Sequence, residues 1–292
     1  MAGDPTLLFG IGATKAGTSW LHDYLAGHPE CRLSLLKELH YFDSIDAGRR
    51  EKRAIEVDAM IESFAGRAGR GDNRDYRRAM LADLRAWAPV ARAGDEAAYL
   101  DFLRAGAGDT ARVVGDVTPS YGMLSAERLA RMARMAPAVR FVYLLRDPVD
   151  RLWSHVRMIA RRRNADASPQ ELAAAAGRIL RRALRGKEDH IIARGDYAGA
   201  LARLWQATEP RQRLVLFFEE LFRQPTIDRL CAFLGLTAHP ADFDRQVHAG
   251  VAAGLNGNLR AEATAFLTPQ YDAVNTYLGR VPGAWTGLRT GV

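Results

Sequence analysis

An apolar run, Thr6 to Ile11, passes straight into Gly12-Ala13-Thr14-Lys15-Ala16-Gly17-Thr18-Ser19, and few folds accept that junction. A short apolar run closed by glycine predicts a buried strand. Trp20, Leu21, Tyr24 and Leu25 then form an apolar stripe, so a helix begins near Thr18 and stops at Gly27 and Pro29. Gly12 and Gly17 let the backbone curl with several N–H groups inward, and the helix behind adds partial positive charge at its N-terminus. Thr18 and Ser19 add hydroxyl donors. The segment suits a phosphate; it also fits a plain glycine turn between strand and helix. A P-loop nucleoside triphosphatase carries lysine directly after its second glycine. Here that position is Thr18, and the lysine stands inside the loop at Lys15, placed to touch the bridging oxygen of a bound 5′-phosphate.

The alternation continues downstream. Arg112 to Gly115, Arg140 to Leu145 and Leu214 to Phe218 read as further strands. Asp147-Pro148 opens a helix striped by Leu152, Trp153, Val156 and Ile159, Ser168-Pro169-Gln170-Glu171 is a capping box, and Asp196 caps another helix. A helix from about Pro225 to Leu234 ends at Gly235, and the tail from 250 onward holds one helical stretch near Pro269 to Leu278. Strands alternating with helices predict an α/β fold: a mainly parallel central sheet flanked by helices, P-loop-like, with helical insertions. One domain over residues 1–292 is expected, with a mostly helical insertion at about 45–110 and mobile parts such as Gly66 to Asp72. Ligands of such sheets bind beyond the carboxyl ends of the strands, where the loops after Ile11 and Leu145 lie.

A formal net charge of +7 favours an anionic ligand, whether nucleotide, sulfated sugar or nucleic acid, and is equally met by a solvated arginine-rich surface. The stretches Arg161 to Arg163 and Arg178 to Arg185 invite a polyanion-binding role, yet their helical apolar spacing fits a solvated helix face. Two isolated cysteines, Cys31 and Cys231, make neither a disulfide framework nor a zinc site and point to a reducing, cytoplasmic setting. The apolar run from Leu7 to Ile11 is too short for a signal peptide, and no run approaches the roughly 20 residues of a membrane span. No metal-ligand cluster stands out.

Three segments taken in order resemble one family. GIGATKAGTSW, residues 10–20, is similar to the 5′-phosphosulfate loop of sulfotransferases that use 3′-phosphoadenosine 5′-phosphosulfate (PAPS), with Thr14 where proline is common. RFVYLLRDPVDRLWSHVRM, from Arg140 to Met158, resembles the 3′-phosphate signature, whose marker residues fall on Arg146 and Ser154. Lys37-Glu38-Leu39-His40-Tyr41-Phe42-Asp43 resembles a segment of the heparan-sulfate and carbohydrate branch, in which the glutamate is the catalytic base. Weaker echoes are Gly115 to Tyr121, Phe218 to Leu221 and Tyr277 to Arg280. Relatives often close the 3′-phosphate site with a K-G-x-R type loop; the matching stretch here, Asn256 to Arg260, offers only Arg260.

The resemblance implies a transferase with PAPS as donor and 3′-phosphoadenosine 5′-phosphate (PAP) as product, and no metal. Lys15 would stabilise the leaving phosphate, Glu38 would be general base with His40 orienting it, and Ala16, Gly17, Thr18 and Ser19 would hold the 5′-phosphate. Arg146, Ser154 and Arg260 would bind the 3′-phosphate, and Trp20 would stack on adenine or simply pack. From the residues alone, Glu38 is equally a surface carboxylate paired to Lys37, and Arg146 equally a partner of Asp147 or Asp150. His22 is a reserve base; His155 and His190 read as ordinary histidines. The acceptor, a small molecule, lipid or carbohydrate, is expected against 45–110, 160–195 and the tail, and nucleic acid is not an expected partner. Two rivals remain: a P-loop kinase or nucleoside triphosphatase with Asp147 on magnesium, and a non-enzymatic polyanion binder.

Overall fold

The computed structural model describes residues 4–66, 73–108, 110–244 and 254–286. The stretch from 67 to 72, where mobile parts were expected, lies outside them. Five strands form one sheet: β1 (Thr6–Gly12), β2 (Cys31–Leu33), β3 (Val113–Val117), β4 (Val139–Leu145) and β5 (Arg213–Phe217). Every pairing is parallel and the order is β2-β3-β1-β4-β5, so the predicted parallel sheet is found, with β1 at its centre. β2 is a strand that periodicity missed, because three residues carry no readable pattern.

Helices fill the crossovers. α1 (Thr18–Ala26) follows β1; α2 (Tyr41–Asp46), α3 (Arg50–Ala65), α4 (Arg74–Ala93) and α5 (Glu96–Arg104) separate β2 from β3. A 3₁₀ turn over Pro119–Met123 and α6 (Ala126–Met132) lead to β4. After it come α7 (Pro148–Arg163), α8 (Pro169–Leu184), α9 (Asp189–Ala193) and α10 (Tyr197–Ala207), then β5. α11 (Phe218–Leu221), α12 (Gln224–Leu234), α13 (Gly257–Leu278) and α14 (Gly283–Thr286) finish the described chain. Asp147, Ser168 and Asp196 cap α7, α8 and α10 as expected, each accepting from a backbone N–H of the first turn. The tail differs from expectation. α13 runs unbroken through Pro269, and its cap Asn256 makes the expected loop the opening turn of a helix. Leu259, Ala263, Leu267 and Tyr271, four apart, bury one continuous stripe that outweighs the amide Pro269 lacks. Among the described residues no helix is long and apolar enough to cross a membrane.

The core lies on both faces of the sheet: Leu8, Phe9, Phe141 and Leu144 are fully buried. Neighbouring strands are close enough that a Cβ on Gly115 would meet the Leu8 carbonyl oxygen at 2.6 Å, so glycine is required there. One polar group sits inside this packing. Asp116, buried on β3, accepts hydrogen bonds from Tyr121 (2.6 Å), Thr118 (2.7 Å) and Tyr99 (3.1 Å). Burial pushes its carboxyl above the usual range, against the pull of those hydroxyls. Tyr121 also accepts from the Tyr41 amide at 3.1 Å, so the network ties β3 to the start of α2. Replacing Asp116 by alanine leaves three buried hydroxyls short of an acceptor. Asp116→Ala should lower unfolding free energy by about 3 kcal/mol, read as a lower denaturation midpoint, with Asp116→Asn losing less.

Candidate active site

A cleft of about 780 Å³ opens at the carboxyl ends of β1 and β4. Its floor is the glycine loop: Thr14, Lys15, Gly17, Thr18, Ser19 and Trp20 all line it. Gly17 caps α1 at φ 95, a conformation that favours glycine, and a Cβ there would meet Phe218 at 3.0 Å. The amides of Thr18 and Ser19 head the helix and have no partner within it, so they face whatever fills the cleft. Ala16 is not brought there. Its side chain is fully buried and its amide donates to the Ala13 carbonyl at 3.1 Å.

β4 and α7 build the second wall. Arg146 leaves the end of β4, lies 4.6 Å over the Phe218 ring and reaches the Lys15 carbonyl at 3.5 Å. Ser154, Met158 and Arg162 follow at one-turn spacing on α7 and line the same cleft. The pairing alternative for Arg146 is closed. Asp147 accepts from the Asp150 amide (2.9 Å) and the Tyr271 hydroxyl (2.7 Å), and Asp150 takes Arg260 at 2.6 Å. Both Asp147 oxygens are thus engaged and 1% of the residue is exposed, which leaves a Walker-type magnesium ligand no free oxygen. The same bond explains Arg260, which is held at the back of α7 and does not line the cleft. Among the described residues, no carboxylate pairs with Lys15, Arg146 or Arg162. Burial, then the charges of Arg146, Arg157, Arg162 and Lys37, hold the Lys15 ammonium below its usual range.

The third wall is the Lys37–Asp43 segment. Glu38 and His40 line the cleft, and Lys37 Nζ sits 2.7 Å from Glu38 Oε1 and 3.5 Å from the Thr18 hydroxyl. His40 bridges two carboxylates, with Nδ1 donating to Asp43 at 2.8 Å and Nε2 3.5 Å from Glu38. Burial alone would raise the Glu38 carboxyl, but the contact with His40 and the charge of Lys37 hold it down at about 2. Burial alone would lower His40, but its bonds to Asp43 and Glu38 lift it to about 9. Lys15, Glu38 and His40 adopt left-handed backbone, at φ 72, 64 and 55, and are the described non-glycine residues that do so. Such strain costs about 1–3 kcal/mol each and collects at functional sites. Arg53 of α3 pins the bend by donating to the carbonyls of Glu38 (2.9 Å) and Leu39 (3.3 Å). The surface-carboxylate alternative for Glu38 is met only in part: the Lys37 pair exists, but inside the cleft.

Pattern reading missed several liners. His155, His190 and Arg194 close the far side, and Phe218, Phe222 and Phe243 form an aromatic mouth. Arg151, 1% exposed and with no carboxylate among its described partners, donates to His155 Nδ1 at 3.5 Å. That bond leaves Nε2–H as the cleft-facing donor. Burial first, then Arg151, Arg194, His190 and Lys15, press His155 down to about 3, so it stays neutral. The signal available in sequence was the α7 face itself, which carries Ser154, His155, Met158 and Arg162. Trp20 is 5% exposed and lies parallel to Tyr24 (5.6 Å) and Phe243 (6.1 Å), so it packs while bordering the cleft. His22 faces away and donates to the Ser34 carbonyl at 3.0 Å. The arginine-rich stretches are partly engaged, with Arg163 and Arg182 both on Glu188 at 3.0 Å. No three of His, Cys, Asp and Glu among the described residues gather as a metal ion requires.

A family profile described as the sulfotransferase family matches residues 5–240. Among solved structures, a sulfotransferase from Alicyclobacillus acidocaldarius is 24% identical, aligns over 97% of this chain and 99% of its own, and has a TM-score of 0.61. That likeness is one of fold. The sulfotransferase domain of a Synechococcus olefin synthase (16% identity, 96% of each chain, TM-score 0.48) and that of the curacin biosynthetic pathway (17%, 81% of this chain and 76% of its own, 0.47) are more distant. No curated protein matches the sequence.

The site's electrostatics can be read in solution. Histidine-selective NMR titration should find His40 protonated through neutral pH and losing its proton near 9, while His155 shows no titration above about 5. An ordinary midpoint near 6.5 for either ring would contradict the described contacts.

Proposed function

Because the chain belongs to the sulfotransferase family, we propose that it moves a sulfonyl group from PAPS to an acceptor hydroxyl or amine, and that the described cleft is its donor site. The observation that carries this is the group of uncompensated cations, Lys15, Arg146 and Arg162, around an amide-lined loop. Held together without an anion they repel one another, and a nucleotide with charge at both its 3′ and 5′ ends answers that repulsion. The residues present fit such a ligand: the head of α1 and Gly17 to Ser19 for the 5′ end, Arg146 and Ser154 for the 3′ end, and Trp20 with the phenylalanine mouth for the base. When bound, the donor supplies the sulfonyl group, which passes to the acceptor atom as the bond from sulfur to the 5′-phosphate oxygen breaks.

Lys15 offsets the charge that develops on the departing oxygen, more in the transition state than in the ground state. Glu38 takes the proton that the acceptor loses. A carboxyl near 2 is a weak base, and Lys37 explains how it strengthens. Its ammonium lies between Glu38 and the loop hydroxyl of Thr18, so an anion in the loop competes for it and relieves the part of the depression that Lys37 adds to that of His40. His40, protonated, keeps Glu38 in place. Arg260 acts from behind by holding Asp150 at the start of α7. The whole chain works as one catalytic domain, and the insertion at about 45–110 props the base through Arg53.

Isothermal titration should show PAP binding to wild-type protein; no affinity for it would refute the assignment. Lys15→Ala should reduce transfer by about 10³-fold or more with the fold intact, and Glu38→Gln should cut turnover strongly while sparing PAP affinity. The kcat/KM profile should stay level from about pH 5 to 8, since Glu38 is ionised above about 2 and His40 protonated below about 9, and should fall on the alkaline side.

A further inference from the structure

A second cleft, about 630 Å³, adjoins the first. The two share the Arg194 side chain. They are also joined through the relay already described: Glu38 and His40 line the first cleft, and Asp43, bonded to His40 at 2.8 Å, lines the second. A molecule lying in the second cleft therefore has its inner end at Asp43 and Arg194, one histidine ring away from the carboxylate proposed as base.

The charges lining it are unevenly committed. Of its acids, Asp43 is bonded to His40, Asp46 takes Arg128 through both oxygens at 3.0 Å, and Glu127 turns back on Ser125 and its own amide at the head of α6. Arg128 and Arg131 are answered by Asp46 and Glu96. Arg49 and Arg194 have no carboxylate partner among the described residues, and Arg194 donates only to the Ser120 hydroxyl at 3.0 Å. The cleft thus presents two guanidinium groups with no carboxylate partner against one acid with no cation partner, Glu127, which is bonded to Ser125 and its own amide, and Met123, 40% exposed, is an apolar contact beside them.

We propose that this second cleft receives the acceptor, and that Arg194, seconded by Arg49, selects hydroxyl compounds that carry a carboxylate. The proposal rests on the sulfonyl-transfer reading above. A planar guanidinium holds a carboxylate through two parallel hydrogen bonds, which fixes orientation as well as affinity. Pinned at that end, the acceptor turns its hydroxyl toward Glu38. There its oxygen bonds to sulfur, the donor's sulfur–oxygen bond breaks, the proton passes to Glu38 and PAP leaves. Arg194 takes part in none of these bond changes; it determines which acceptor is accepted. Of its lining, Asp46, Ala47, Arg49 and Arg194 fall within the expected stretches 45–110 and 160–195, and the 120–131 region is added to them.

Three phenols differing only in side-chain charge test this: para-hydroxyphenylacetate, para-ethylphenol and tyramine, each assayed with sulfur-35-labelled PAPS. The carboxylate should lead in kcat/KM by about tenfold or more, the worth of one charge-assisted pair. Arg194→Met should bring that ratio close to one, and Arg194→Lys should keep part of it. Preference for the neutral or cationic phenol, no transfer to the carboxylate, or an undiminished ratio in Arg194→Met overturns the proposal. So does a loss of PAP affinity in Arg194→Met, which would assign the residue to the donor. Failure of wild-type protein to bind PAP would sink the transferase reading itself, a separate result.

Discussion

Repulsion among like charges governs this molecule. A parallel sheet places the carboxyl ends of β1 and β4 side by side, so the residues that leave them, Lys15 and Arg146, are neighbours by construction. Arg162 and Lys37 are added from α7 and the segment before α2. Among the described residues no carboxylate pairs with Lys15, and burial, then the neighbouring cations, hold its ammonium below the usual range. Such a cluster is tolerated because the strands, the Gly17 cap and the aromatic packing of Phe218 fix its members before any ligand arrives. The cost is carried by the core, and the return is a preorganised field aimed at an anion.

The opposite wall is held by different means. Glu38 and His40 sit on left-handed backbone, and neither has a glycine's freedom. Three anchors keep the bend: Arg53 on the carbonyls of Glu38 and Leu39, Tyr121 on the Tyr41 amide, and Asp116 beneath Tyr121. A buried carboxylate in a strand thereby serves the geometry of a side chain on another element. The echo at Gly115 to Tyr121 thus gains a physical content, that of a polar footing for the Lys37–Asp43 segment.

Much of this was legible in sequence where one local rule acts alone. Glycine spacing gave the loop, short apolar runs gave β1 and β4, and Asp147-Pro148 marked the start of α7 with Arg146 beside it. Legibility ended where two distant segments decide the matter. β2 exists because β3 offers it a partner. α13 passes Pro269 because its stripe is buried against the body of the protein. Arg260 is claimed by Asp150, a residue 110 positions away, and Ala16 is turned inward by the curl of its own loop. Arg194 could not be singled out at all, since what marks it is having no carboxylate partner among the described residues and bordering two spaces.

The unrelieved cations also have a bearing on the protein's life in a cell. An anion that binds only the folded form adds to its stability by mass action, and here it would also cancel an internal strain. The empty chain is then the less stable form and the loaded chain the more stable one. The cleft that gathers Lys15, Arg146 and Arg162 is thereby also a place where occupancy and fold stability are coupled.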